Sequence, residues 1–135
     1  MAVIKHKKHG SCVACGENNP AGLRLRFRRQ ADGSVRAATF CRGALTGYDG
    51  LLHGGVAALM LDSAMVHCLF GHGVTAYTAE LKLKYKDPVR IGRAAELRAR
   101  LEKDHDPLYL TRGELLQDGE VKVSAKAKFM RGEEP

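Results

Sequence analysis

The chain has 135 residues, a formal net charge of +7 and four cysteines. That length suits one domain with a core large enough to need no staples, and four unevenly spaced cysteines exclude a disulfide scaffold and point to a reducing, cytoplasmic setting. The charge invites a polyanionic partner, but the basic residues mostly alternate with apolar ones and there is no Trp for base stacking, so solvated strand faces are expected and no nucleic-acid partner.

Residues 1–20 carry Gly10, Gly16, Asn18, Asn19 and Pro20 without periodicity and read as an irregular N-terminal arm; 21–135 read as a single domain. Leu23, Leu25 and Phe27 alternate with Arg24, Arg26 and Arg28 and predict a strand. Ala31-Asp32-Gly33-Ser34 predicts a turn, and Val35 to Phe40 a returning strand. Cys41 to Leu52 is a glycine-rich loop. An almost wholly apolar helix is predicted from His53 to about Phe70, stopped by Gly71-His72-Gly73. Ala76 to Tyr85 alternates again, and Asp87-Pro88 ends it. Gly92 to Lys103, Leu108 to Gln117 and Val121 to Met130 predict three more strands. Asp118-Gly119 suits a two-residue hairpin with both residues at positive φ. The expectation is two strands, one enclosed helix, then four strands as an antiparallel meander. No apolar run is read as a membrane span, and no membrane partner is expected.

The helix opens with His53-Gly54-Gly55, where first-turn N–H groups lack intrahelical partners and a neighbour can approach the backbone closely. Such an end suits an anion, or an oxygen that becomes negative during acyl transfer. Asp62 is the only carboxylate in the apolar run. Burying it costs free energy and raises its pKa unless it is paired, so it either serves chemistry or hydrogen-bonds a neighbouring loop or interface. It lies nine residues beyond His53, about two and a half turns, so the two point to roughly opposite sides of one helix. Two helices packed antiparallel across a dimer axis would bring the Asp62 of one to the amide cradle of the other.

His53-Gly54-Gly55 followed by Leu61-Asp62-Ser63-Ala64, then Leu81-Lys82-Leu83-Lys84-Tyr85-Lys86-Asp87-Pro88-Val89, resembles the hotdog-fold thioesterases of the phenylacetate-degradation (PaaI) type. The opening Cys12-Val13-Ala14-Cys15-Gly16, Asn19-Pro20 and Gly22-Leu23 resembles a lead-in of one branch of them. The resemblance implies an α+β hotdog fold, a curved antiparallel sheet wrapped around one long helix. It also implies a dimer or dimer of dimers that hydrolyses an acyl-coenzyme A, with no cofactor beyond the coenzyme A of the substrate. Carried over, Asp62 is the nucleophile or general base, and Gly54 offers the amide that polarises the carbonyl, with Gly55 extending the helix start. Thr78 falls where the family holds the water with a hydroxyl, and His53 shapes the pocket or orients the carbonyl. Lys84, Lys86 and Arg90 are candidates for the coenzyme A phosphates. One departure stands out: many members have an Asn six residues before the His, where this chain has Gly47, so Asp49 or a backbone carbonyl would have to stand in. A non-catalytic acyl-coenzyme A sensor and a hydratase or dehydratase are the alternative activities.

His6, His9, Cys12 and Cys15 are spaced as zinc ligands could be. A lone C-x-x-C is weak, the lead-in explains the cysteines without metal, and no metal is assigned. Cys68 is read as core, and His67 and His72 as serving the helix C-terminus.

Overall fold

In the computed structural model, which describes residues 1–133, one α-helix lies against a six-stranded antiparallel sheet. The strands are β1 (Arg28–Arg29), β2 (Val35–Phe40), β3 (Tyr77–Tyr85), β4 (Ala94–His105), β5 (Leu108–Gln117) and β6 (Glu120–Met130), with α1 (Gly54–Gly71) between β2 and β3. Their order across the sheet is β1-β2-β4-β5-β6-β3. Inward residues of β4, β5 and β6 alternate as the sequence does: Leu97, Ala99, Tyr109, Leu115, Val123 and Phe129 are all buried, against α1's Met60, Leu61, Ala64, Met65 and Cys68. At Gly113 an added Cβ would stand 3.3 Å from a Leu61 methyl, so the missing side chain is what lets α1 approach the middle of the sheet.

Local signals hold. Asp118 and Gly119 have φ of 55° and 77° and join β5 to β6 in a two-residue hairpin. Gly73, at φ 74°, closes α1: its N–H donates to the Phe70 carbonyl and that of Val74 to the Leu69 carbonyl, satisfying carbonyls the helix leaves over.

Three expectations change. The last four strands are not one meander, because β3 pairs with β6 at the far edge and only β4, β5 and β6 run in sequence order. The helix separates β2, near one edge, from β3 at the other, so the strand after the helix has no obligation to pair with the strand that follows it. The segment from Leu23 to Phe27 buries Leu25 and Phe27 but turns at Arg24, whose φ is 54°, and only Arg28–Arg29 joins the sheet. Its backbone bonds instead to the N-terminal arm, Leu23 and Leu25 donating to the Val13 and Ala14 carbonyls and Val3 donating to Phe27. Finally, α1 is, by length and composition alone, apolar enough to cross a bilayer, though half of it is buried inside the protein. It is not enclosed on every side: Val56, Leu59, Asp62 and Val66 form a half-exposed stripe at helical spacing.

Candidate active site

The start of α1 is built by His53. Its backbone is extended, and its Nδ1 accepts the Gly55 N–H at 2.9 Å while its carbonyl accepts from Val56 and Ala57. That cap takes three first-turn donors and leaves Gly54's N–H, at the exposed helix end, with no protein partner among the described residues. Because Nδ1 accepts, the neutral ring carries its proton on Nε2.

Gly54 is also fixed through its carbonyl, which accepts the Tyr85 hydroxyl at 2.7 Å from the end of β3. Tyr85 thus sets the position of the helix start, a role sequence reading did not assign; its place in the strand motif was the available signal. A cavity of about 270 Å³ lies beside these groups, lined among others by Leu52, Gly54, Tyr85, Asp87, Pro88 and Val89. The Pro88–Val89 wall is held by a buried amide: Gln117 Oε1 accepts the Arg90 N–H at 2.7 Å, and its Nε2 donates to the Arg90 carbonyl at 3.0 Å. Gln117 is a second residue the sequence did not single out.

Asp62 is half-buried, and burial raises its carboxyl above the ordinary carboxylate range while a hydrogen bond from Thr78 partly offsets the rise. The Thr78 hydroxyl donates to Asp62 Oδ1 at 2.7 Å. Strict alternation would place Thr78 on the same face as Lys82 and Lys84. An irregularity between Thr78 and Glu80 breaks the register, so Thr78 pairs with inward-facing Phe129 while Glu80 pairs with outward-facing Lys128. The bulge therefore turns the hydroxyl toward the helix.

Other sequence candidates separate. Lys86 lines the cavity beside Gly54. Arg90 is exposed on the connection that carries the cavity wall, with its backbone bridged to Leu51. Lys84 does not reach Gly54 within one chain: it faces outward from β3 and lines, with Lys82, Arg98, Arg112 and Lys126, a hollow of about 950 Å³. Asp49 lies exposed in the turn that Leu51 closes by donating to Tyr48, away from any described hydrogen bond to the cluster. Gly47 is explained by packing, since an added Cβ would stand 2.9 Å from His53 Cα, so no side chain fits there without moving the helix cap. His67 does not serve the helix end as a cation: its Nδ1–H donates to the Ser63 carbonyl, it stacks on Phe27, and burial holds it down at about 4, hence neutral. Cys68 is core, its thiol pushed by burial up to about 11.

One long helix against a six-stranded antiparallel sheet, with a glycine-opened helix start and an acid midway along it, defines a hotdog fold. The model of the thioesterase superfamily matches residues 49–104, the segment that holds both the helix start and Asp62. No curated protein sequence matches. Among solved structures, a thioesterase superfamily protein is 28% identical over 87% of this chain, with a TM-score of 0.82; the chain spans 61% of that protein's length. A phenylacetic acid degradation-related protein from Ralstonia eutropha JMP134 is 27% identical, with a TM-score of 0.73, over 81% of this chain and 86% of its own. A Streptococcus mutans UA159 protein bound to acetyl CoA shares the fold at 17% identity and a TM-score of 0.73, over 78% of this chain and 86% of its own. The resemblance to hotdog thioesterases read from the sequence therefore stands.

Proposed function

We propose that the protein is an acyl-coenzyme A thioesterase that works as a dimer, with Asp62 of one subunit facing the Gly54 amide of the other. The observation that carries this reading is the Thr78–Asp62 hydrogen bond at 2.7 Å, which aims a half-buried carboxylate of raised pKa, together with a helix-start N–H that has no protein partner among the described residues. The thioesterase segment and the acetyl CoA bound to the S. mutans protein support the substrate class.

Distance supports the dimer. Gly54 and Asp62 are eight residues apart on one helix, about 12 Å of rise, too far to meet one carbonyl. β3 is an edge strand of nine residues, exposed along most of its length, and the half-open stripe of α1 lies on the side that a second copy would cover. A two-fold axis passing near Ala58, midway between Gly54 and Asp62, brings each acid to the other subunit's amide and makes two sites.

In each site the Gly54 N–H receives the thioester oxygen. Asp62 takes a proton from a water that attacks the carbonyl carbon, and Thr78 holds the carboxylate in place. Negative charge gathers on the carbonyl oxygen, where the amide and the positive end of the helix stabilise it. As the tetrahedral species collapses, the carbon–sulfur bond breaks, the coenzyme A thiolate leaves, and the proton held by Asp62 passes to it. Lys86 lines the cavity and the exposed Arg90 follows its Val89 wall in the chain, which supports both as partners for the coenzyme's phosphates.

The test is thiol release from short, medium, long and aromatic acyl-coenzyme A substrates. Turnover that falls by about 10²–10⁴ in Asp62→Asn, with the dimer intact, is the expected outcome. Tight acyl-coenzyme A binding without turnover in the wild type would instead make the protein a sensor. Isotope from labelled water entering Asp62 during a single turnover would replace water activation by direct carboxylate attack.

A further inference from the structure

The N-terminal arm gathers chemistry that the proposed activity does not use. His9, Cys12 and Cys15 lie together in the arm, their ligand atoms all within 4.8 Å of one another. His9 Nδ1 and Cys15 Sγ are 3.4 Å apart. Tetrahedral zinc, with bonds of about 2.0 Å to nitrogen and 2.3 Å to sulfur, sets a nitrogen and a sulfur ligand about 3.5 Å apart, a separation the hydrogen-bonded His9–Cys15 pair already has. Neither cysteine is disulfide-bonded.

The backbone is shaped around the two sulfurs. The Ala14 N–H donates to Cys12 Sγ at 3.4 Å, and Gly16 donates to the Cys12 carbonyl at 2.8 Å, folding Cys12–Gly16 into a tight knuckle. Only glycine fits there: a Cβ at residue 16 would lie 2.3 Å from Cys12 N and 2.6 Å from the Gly10 carbonyl oxygen. Lys5 Nζ donates to the Cys15 carbonyl at 2.6 Å and sets a positive charge beside the pair.

We propose that His9, Cys12 and Cys15 bind a zinc ion, with a water or small solute in the fourth position. The donor set is the borderline-soft one that zinc accepts. Binding releases the two thiol protons to solvent and leaves two thiolates and a neutral imidazole on the ion, so it weakens as pH falls. The His9 ring packs edge-on against Phe70 at 5.1 Å and His67 at 6.5 Å, so the ion would fasten the arm to the C-terminal half of α1. The site is independent of the thioesterase reading. It revises the sequence expectation of no metal, which weighed His6, His9, Cys12 and Cys15 by spacing alone; the structure brings three of them, His9, Cys12 and Cys15, together.

The test uses the full chain stripped with chelator and reduced, titrated with Zn²⁺ against a chromophoric competitor and separately with Co²⁺. One ion per chain is expected, with tetrahedral d–d bands and thiolate-to-cobalt charge transfer. His9→Ala and Cys12→Ser, at partly exposed positions, should each weaken binding by more than about a hundredfold, while Cys41→Ala and Cys68→Ala leave it unchanged. Zinc should raise the melting temperature of the wild type and not of Cys12→Ser. A cobalt spectrum without thiolate bands, or binding unaffected by Cys12→Ser, overturns the proposal. If both arm variants misfold, the wild-type cobalt spectrum decides alone.

Discussion

At neutral pH Asp62 is asked to ionise in surroundings that favour its protonated form, and the two demands are separable by measurement. Burial raises its folded-state pKa, so the folded chain binds more protons than the unfolded one between the ordinary carboxylate value and that raised value. The stability Asp62 contributes is therefore present below about pH 4 and is lost as pH rises through the folded-state value. Asp62→Asn should raise the melting temperature at pH 7, with the gain shrinking below pH 4, while hydrolysis is lost. In the wild type, kcat/KM should climb as Asp62 deprotonates and then level off. Thr78→Val removes the one hydrogen bond that lowers this pKa, so the rise should move to higher pH, with a loss of about fivefold in the plateau rate, the worth of an ordinary hydrogen bond. An unmoved pH profile would mean that Thr78 does not act on the carboxylate.

The helix start is one element whose structural and chemical parts can be pulled apart. His53→Ala should cost about 1 kcal/mol of stability by losing the cap, and His53→Asn should restore stability because Asn caps well; activity that stays low in His53→Asn would assign the ring to the pocket as well. Gly54→Pro is the sharper change. Proline is tolerated at the first helical position, the extended backbone of His53 already suits a residue before proline, and a Cβ at Gly54 meets the Tyr85 ring at 3.6 Å, an ordinary contact. The variant should fold normally and lose about 10²–10³ in kcat through its missing N–H. What the sequence made legible at this scale was local: the period-two runs of β4, β5 and β6, the Asp118-Gly119 hairpin, and the glycines that open and close α1. What it hid was non-local. Alternation alone assigns Thr78 to the lysine face of β3, and only the resemblance brought it to the site, because a bulge shows itself through the partner strand. The pairing of β3 with β6, the bond between Leu23–Phe27 and the arm, and the reach of Tyr85 to Gly54 likewise depend on segments distant in the chain.

For the whole molecule, the proposed shared site makes a prediction that no single-subunit site can imitate. Asp62→Asn and Gly54→Pro homodimers should each be inactive, but unfolding and refolding them together in equal amounts should form hybrids in which one site keeps both an intact Asp62 and an intact Gly54. About a quarter of wild-type activity should return. A mixture that stays inactive while hybrids are present places acid and amide in the same subunit. Ala58→Arg, next to the proposed axis, should yield a folded, inactive monomer by light scattering. The Gln117 amide has a reach of a different kind. It is almost fully enclosed, and it imitates a neighbouring strand toward Arg90, holding the run from Pro88 to Arg90 that walls the cavity beside Gly54. Since it stands behind that wall, its replacement would let the wall sag without altering one atom that faces the cavity. What the cavity admits can therefore drift from behind, by loosening a hinge pin, while the helix start stays as it was.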